Sequence, residues 1–318
     1  MKWIKLTGAG LLTAVVLLLY FFFFENQELY QFSRCLTGAK HWQSCYQPRG
    51  VEFTTDLYGL RYEGNTRNFI DAQVLYFGAY EKPVLHFMRD VMTSVYHNQG
   101  VFLDVGANTG QHSLFMSRYA TEVHAFEPFE PVVERFRKHL DMNRIKNVVI
   151  HPVGLGDKNA RLPFFAPEED NLGTGSFEPD FYAPNKPYKE LEIVVGDEAL
   201  KKAGVTSVAL VKMDIEGFEK LALQGLKQTL IASRPIVVFE LTIEPAKSFG
   251  FKSIQDLYDS FPLEYDFFLF AHETKGEYTG AYELVGLAEN MRFDLASQSN
   301  VVASPKERRR QIPRKSSH

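Results

Sequence analysis

The stretch Val101 to Ser113, VFLDVGANTGQHS, leads from an apolar, strand-like run into a turn punctuated by Gly106 and Gly110, with Asp104 just ahead of it. Glycine admits positive φ and lets a backbone approach a ligand closely. A dinucleotide turn is expected to read G-x-G-x-x-G, its second glycine making room for the pyrophosphate. Here the bulkier Asn108 holds that position. The turn suits a ligand without a pyrophosphate, and a nucleoside carrying an amino acid fits that description. In VHAFEP, Glu127 lies seventeen residues beyond Gly110, at the offset where a carboxylate closing a second strand accepts hydrogen bonds from two ribose hydroxyls. Such charge-assisted bonds are worth about 1.5–3 kcal/mol each. Asp104 adds negative potential for a cationic ligand. A plain strand-to-helix corner would need the glycines but neither acid.

Two further stretches carry candidate groups. In VGLGD, Gly154 and Gly156 clear space at the end of a third strand and Asp157 is within reach of the ligand's base, the alternative being an ordinary turn. In VKMDIEGFE, Asp214 and Glu216 project from the carboxyl end of a strand, the edge at which open α/β sheets bind ligands. Either acid is a candidate general base; the alternative for Glu216 is a first-turn residue favoured by the helix dipole. His112 and His151 are weaker candidates for the base and otherwise ordinary surface or core residues. Carboxylates at 214 and 216 would suit a divalent cation, but no third ligand is evident, and no metal is expected.

The elements that position these groups follow from periodicity. Strands are predicted at Val101–Val105, Glu122–Phe126, Asn147–Val153, Val208–Met213 and Pro235–Leu241, with helices over Gln111–Tyr119, Pro131–Met142 and Glu216–Ile231. That alternation makes a parallel sheet covered by helices through right-handed crossovers. Val51–Tyr62 reads as a hairpin about Tyr58-Gly59 and Tyr80–Tyr96 as a helix. Residues 157–196 interrupt the pattern with five prolines, as an insertion that overhangs a site or is partly disordered. Antiparallel strands after Phe251 and a last strand at Asn300–Ala303 close one sheet edge.

Composition narrows the functional classes. A net charge of -4 argues against nucleic acid as partner, because phosphate neutralisation needs a basic surplus. Two cysteines, Cys35 and Cys45, exclude a disulfide scaffold and a four-cysteine zinc site. Leu6–Phe24 is 19 residues without a charge, about the length that crosses a bilayer core. It ends in four phenylalanines and Glu25 rather than in the small residues of a cleavage site, so residues 1–24 are expected to be an uncleaved single-pass membrane anchor. Lys2 and Lys5 before it balance Arg34 and Lys40 after it, which leaves the side of the membrane open. The chain has no Asn-x-Ser/Thr sequon, which favours the cytosol weakly. Residues 25–50 read as a stalk, 51–304 as the globular domain and 305–318 as a basic, disordered tail, solvated or in contact with anionic lipid.

Taken in order, FGAYE at Phe77–Glu81, FLDVGANTGQHS, HAFEP, GLGD and VKMDIEGFEKLALQGL resemble the FkbM family of S-adenosylmethionine-dependent methyltransferases over roughly residues 75–245. The resemblance implies a Rossmann-like class I methyltransferase fold: a mostly parallel seven-stranded sheet with helices on both faces. It implies O-methylation of a hydroxyl on a sugar or another small or glycan-type acceptor. S-adenosylmethionine would be bound by Asp104, Gly106, Asn108, Gly110 and Glu127, with Glu81 of the lead-in beside them and Asp214 and Glu216 serving the site. Two other classes stay open. One is an NAD-linked oxidoreductase, disfavoured by Asn108; the other is a non-catalytic, membrane-tethered binding or trafficking module, disfavoured by the retention of all five of Asp104, Gly106, Gly110, Glu127 and Asp214.

Overall fold

The computed structural model of the chain describes residues 50–166, 175–179, 187–244, 247–271, 279–287 and 299–316. By its contacts the chain divides into Met1–Val51 and Glu52–His318. The expected anchor, both cysteines and all but the last residue of the expected stalk lie outside the described residues. Among the described residues no helix is long and apolar enough to cross a membrane.

In chain order the elements are β1 (Glu52–Leu57), β2 (Leu60–Asn65), α1 (Phe69–Phe77), α2 (Lys82–Ser94), β3 (Val101–Val105), α3 (Gln111–Met116), β4 (Glu122–Phe126), α4 (Glu130–Asn143), β5 (Val148–His151), β6 (Gly154–Gly156), β7 (Ala160–Phe164), β8 (Lys189–Val195), α5 (Gly196–Lys202), β9 (Val208–Met213), α6 (Glu219–Gly225), α7 (Lys227–Ala232), β10 (Ile236–Leu241), α8 (Ile254–Asp259), β11 (Tyr265–Phe270), β12 (Leu284–Gly286) and β13 (Ser299–Pro305). The main sheet runs β12-β11-β13-β10-β9-β3-β4-β5. Strands β10, β9, β3, β4 and β5 are mutually parallel, while β13 inserts antiparallel between β10 and β11. The expected seven strands are thus eight among the described residues, because the short β12 pairs with the outer edge of β11.

The continuous apolar runs of the central strands have a simple cause. Successive side chains point to opposite faces, and both faces are covered. Phe102, Leu210, Val238 and Val302 join one core with α2 residues such as Leu85 and Met88. Their chain neighbours Leu103, Val211, Val237 and Val301 join the opposite core with Leu223, Leu230 and Leu257 of α6, α7 and α8.

Two expectations are corrected, the helix over Glu216–Ile231 and the disordered tail. The predicted helix over Glu216–Ile231 is two short helices broken at Leu226. A Cβ on Gly225 would lie 2.0 Å from the Gly156 carbonyl, so the chain passes β6 at a glycine just where the helix ends. Of the proline-rich insertion, residues 167–174 and 180–186 lie outside the described residues; its described part contributes β7 and β8 to a three-stranded sheet with β6. Pro163 is accommodated because β7 is an edge strand. The tail, expected to be disordered, is built into the fold as far as Ser316. Ile312 is buried, Leu284 N donates to Arg314 O at 2.7 Å, and the guanidinium groups of Arg308 and Arg314 lie 4.7 and 4.4 Å from the ring centroids of Tyr96 and Phe268. Planar cations stacked on rings let a basic segment pack as though it were apolar.

Candidate functional site

On one face of the sheet the apolar side chains give way to polar ones at the carboxyl ends of the strands. Residues two apart on a strand share a face, and residues paired across a ladder share it too. Phe102 is followed on that face by Asp104, Leu210 by Lys212 and Asp214, and Val238 by Glu240; on the antiparallel β13, Val302 leads back to Asn300. The registers Asp104↔Lys212, Lys212↔Val238, Val238↔Val302 and Glu240↔Asn300 lock these positions into rows. One layer of the core thereby becomes an acidic shelf.

The glycine turn sits above β3. Gly106, Asn108 and Gly110 all have positive φ, of 81°, 51° and 87°. The two glycines serve the protein's own packing rather than the close approach of a ligand. A Cβ on Gly106 would lie 1.9 Å from the Asp214 carbonyl, and one on Gly110 2.1 Å from the Phe136 ring. The turn that carries the cofactor candidates is therefore pressed directly against the turn that carries Asp214 and Glu216. Glu127 fixes the left-handed Asn108 by accepting from its N–H at 3.0 Å, and its other oxygen accepts from Phe129 N at 2.9 Å. Each carboxylate oxygen keeps a further lone pair. Burial raises the Glu127 carboxyl to about 7 despite these bonds. Asp104, fully buried, accepts from Ser113 Oγ at 2.6 Å through Oδ2. Its Oδ1 has no hydrogen-bond partner among the described residues.

Above the shelf, Glu81 stands at φ 50° where the chain enters α2. Its Oε1 accepts from Asn300 Nδ2 at 2.8 Å, and its Oε2 faces His112 Nε2 at 3.5 Å. Burial works against the Glu81 carboxylate, but His112, Lys212 and Asn300 hold it below the usual range. The buried Lys212 donates to Asp214 Oδ2 at 3.3 Å. Burial would pull its ammonium down, yet Asp214, Asp104 and Glu81 keep it above the ordinary lysine range. Glu216 adopts φ 54°. Its carbonyl accepts from Ser176 Oγ at 2.8 Å, and the turn around it is held by Glu219, which accepts from Ile215 N and Gly217 N at 2.9 and 3.0 Å. Burial first, and then Asp214 and Glu219, raise Glu216 to about 8. A non-glycine residue held in the left-handed region marks backbone strain of the kind that collects at functional sites.

The structure thus brings Glu81, Asp104, Gly106, Asn108, Gly110, Glu127, Asp214 and Glu216 to one sheet edge, with His112 among them. Gly156 and Asp157 stand at the end of β6 in the small sheet and just after it, with Phe218 of the neighbouring turn 3.2 Å from a Cβ built on Gly156. Asp157 is exposed, and the space beside Gly156 is taken by the protein, since a Cβ would lie 2.7 Å from Ile193 Cγ2. The chain leaves the main sheet after β5 and enters the small one, so VGLGD is a packing corner. His151 ends β5 at the same edge, its carbonyl accepting from Glu127 N at 3.1 Å, but its ring is stacked on Phe126 and lies 2.9 Å from His124 Nδ1; burial drives its pKa down to about 4. Sequence reasoning missed Lys212, Glu219, Glu240 and Asn300. A lysine and a glutamate inside otherwise apolar strands, VALVKM and IVVFEL, are the signal that would have found the first and third.

A family model described as the methyltransferase FkbM domain matches residues 104–269. The chain belongs to the FkbM methyltransferase family. The hexuronic acid methyltransferase AglP of Haloferax volcanii is 30% identical over 145 residues, 43% of this chain and 54% of that protein, so the match spans about half the length of that relative. Among solved structures, methyltransferase FkbM from Methylobacillus flagellatus is 15% identical with a TM-score of 0.41, over 67% of this chain and 47% of that one. The tRNA (uracil-54, C5)-methyltransferase of Pyrococcus abyssi, in complex with S-adenosyl-L-homocysteine, is 11% identical with a TM-score of 0.38, over 80% of this chain and 44% of that one.

Proposed function

We propose that this FkbM-family protein transfers a methyl group from S-adenosylmethionine to a hydroxyl of a sugar or glycan-type acceptor. The observation that carries the reading is the contact of the two turns. Asp104 and Glu127 flank a glycine turn packed against the turn of Asp214 and Glu216, so a ligand held by the first has its reactive end beside the second. The residues suit the cofactor: Asp104 keeps an unpartnered buried oxygen, and Glu127 keeps lone pairs beyond its two backbone bonds. When bound, S-adenosylmethionine supplies an already activated methyl group.

The chain's own contribution is then mainly orientation. Holding an acceptor oxygen in line for transfer supplies on the order of 7–11 kcal/mol. Glu216 is the favoured general base, worth about 10²- to 10⁴-fold. A carboxyl near 8 is a stronger base than an ordinary glutamate and still ionises close to neutrality. Asp214, bound to Lys212, is better suited to fixing the turn and its charge than to moving a proton. A sugar acceptor is supported by the resemblance to a relative named for hexuronic acid. The apolar run at residues 6–24 supports a membrane-tethered enzyme. The test is transfer of tritium from methyl-labelled S-adenosylmethionine to glycan acceptors by the purified protein. Incorporation that Glu216→Gln suppresses bears the reading out; none by a protein that binds cofactor refutes it.

A further inference from the structure

The hairpin β1–β2 and the helix α1 precede residues 104–269, which the family model matches, yet their side chains reach the glycine turn. Alternation along β2 turns Tyr62 inward, where it is fully buried. Its hydroxyl donates to Asp71 Oδ1 of α1 at 2.7 Å and lies 2.9 Å from Oγ1 of Thr109, the residue between Asn108 and Gly110. We propose that Tyr62 is a positioning residue for cofactor binding: through Thr109 it holds the glycine turn in the shape that receives S-adenosylmethionine. This rests on the methyl-transfer reading above. Being buried, Tyr62 acts through the turn and not by contact with a ligand.

The direction of the relay follows from the hydrogens available. A phenol has one to give, and Asp71 takes it on Oδ1 while Oδ2 accepts from Arg135 Nη2 of α4 at 2.6 Å and from Asn65 N at 2.9 Å. The Tyr62 oxygen is left as an acceptor, so the Thr109 hydroxyl donates to it. Asp71 comes this close to β2 because residue 64 is glycine, where a Cβ would lie 2.8 Å from the Asp71 Cβ. The other polar groups of the buried Thr109 are engaged as well. Its N–H donates to Asn108 Oδ1 at 2.7 Å, and its carbonyl lies 2.9 Å from His139 Nδ1 of α4. The His139 ring stacks on Tyr62 with centroids 4.4 Å apart, and its Nε2 is 2.8 Å from Glu63 O of β2. These bonds act on a strained neighbour. Asn108 stands at φ 51° with its N–H on Glu127, and a non-glycine residue persists there only where its surroundings over-determine it. Glu127 holds Asn108 on one side; Thr109, pinned by the hairpin and α4, holds it on the other. Without that pin the turn is free to relax, and the bond that orients Glu127 goes with it.

The experiment titrates the full-length protein with S-adenosylmethionine by calorimetry, well below the melting temperature of each variant. Tyr62→Phe keeps the ring on His139 and removes only the hydroxyl; Thr109→Val removes the hydroxyl at the other end. Each is expected to weaken cofactor binding about tenfold, as loss of one buried hydrogen bond does. Thr109→Ser, which keeps the hydroxyl, is expected to stay within about threefold of wild type. The double variant Tyr62→Phe/Thr109→Val is expected to bind no more weakly than the weaker single one, because both remove the same connection. Coupling is reciprocal, so in the wild type the cofactor is expected to slow hydrogen exchange of the β1–β2 amides about tenfold and to leave those of α5 unchanged. The proposal is overturned if Tyr62→Phe or Thr109→Val folds and binds as tightly as wild type, since a residue that only packs would lower the melting temperature and not the affinity. It is also overturned if Thr109→Ser binds as weakly as Thr109→Val, if the two losses multiply in the double variant, or if the cofactor leaves hairpin exchange unmoved. The exchange measurement is decisive by itself should the variants fail to fold. Absence of cofactor binding by the wild type would instead refute the methyl-transfer reading.

Discussion

Replacing Gly106 by alanine tests the contact between the two turns. The residue has φ 81°, where an L side chain costs about 1–2 kcal/mol. The new Cβ would also lie 1.9 Å from the Asp214 carbonyl oxygen, against 3.4–4 Å for ordinary contact. That carbonyl cannot simply retreat, because Asp214 N is bonded to Val105 O at 3.0 Å and Glu219 ties down the next residues. Overpacking of this kind adds about 1–3 kcal/mol, so the whole cost is about 2–5 kcal/mol. Gly204 is the internal control: its φ is 77° and a Cβ there would meet nothing within 4 Å, so Gly204→Ala carries the strain of about 1–2 kcal/mol alone. At about 2–4 °C per kcal/mol, differential scanning fluorimetry resolves the two variants. A shift of the Asp214–Glu216 turn by about an ångström is further expected to lower turnover about 10²-fold in Gly106→Ala and not in Gly204→Ala. If the two variants melt together and turn over alike, the turns are not coupled and the proposed site loses its architecture.

Glu216→Gln is expected to lower turnover by about 10²- to 10⁴-fold while leaving the cofactor dissociation constant unchanged; in the wild type, the rate should climb as pH rises through about 8 and that limb should vanish in the variant. Stability of the ligand-free protein should move the other way. Glu127, Glu219 and Glu216 hold protons to about 7, 7 and 8, above the 4.5 of an unfolded glutamate. The folded state binds more protons across that window, so the stability is fully present below 4.5 and is lost as pH rises through 7 to 8. Urea titrations at a series of pH values check it, and a midpoint that rises over this range contradicts it. Ile312→Ala should cost about 2–5 kcal/mol because the tail is part of a core; a melting temperature equal to wild type would return it to the disordered class.

Most of the sheet was legible because burial on both faces writes a long apolar run. Val101–Val105, Glu122–Phe126 and Val208–Met213 begin and end where the runs do. The acids at the strand ends were legible for a related reason: Asp104, Glu127 and Asp214 are charged residues at the exits of apolar segments, where a site is the most economical reason for them. Glu240 and Lys212, penultimate in their strands as Asp104 is in β3, escaped because no glycine turn follows them directly, and only the cross-strand register shows that they share a face with the others. Glycine misled in both directions. Gly156 resembles a ligand-clearing glycine but faces Ile193, and Gly225, inside a helical pattern, marks the break that the close passage of β6 requires. The tail misled because charge counts do not register a guanidinium stacked on a ring.

The most direct measurement is a calorimetric titration of the purified protein with S-adenosylmethionine, repeated with Glu127→Ala. Single-site binding is predicted, strengthening as pH rises through about 7 because the ionised Glu127 is the form that accepts ribose hydroxyls. Affinity should fall by about 10²-fold or more in the variant, two charge-assisted hydrogen bonds being lost. No heat with the wild type, or equal affinity in the variant, would contradict the claim that Asp104 and Glu127 hold this cofactor.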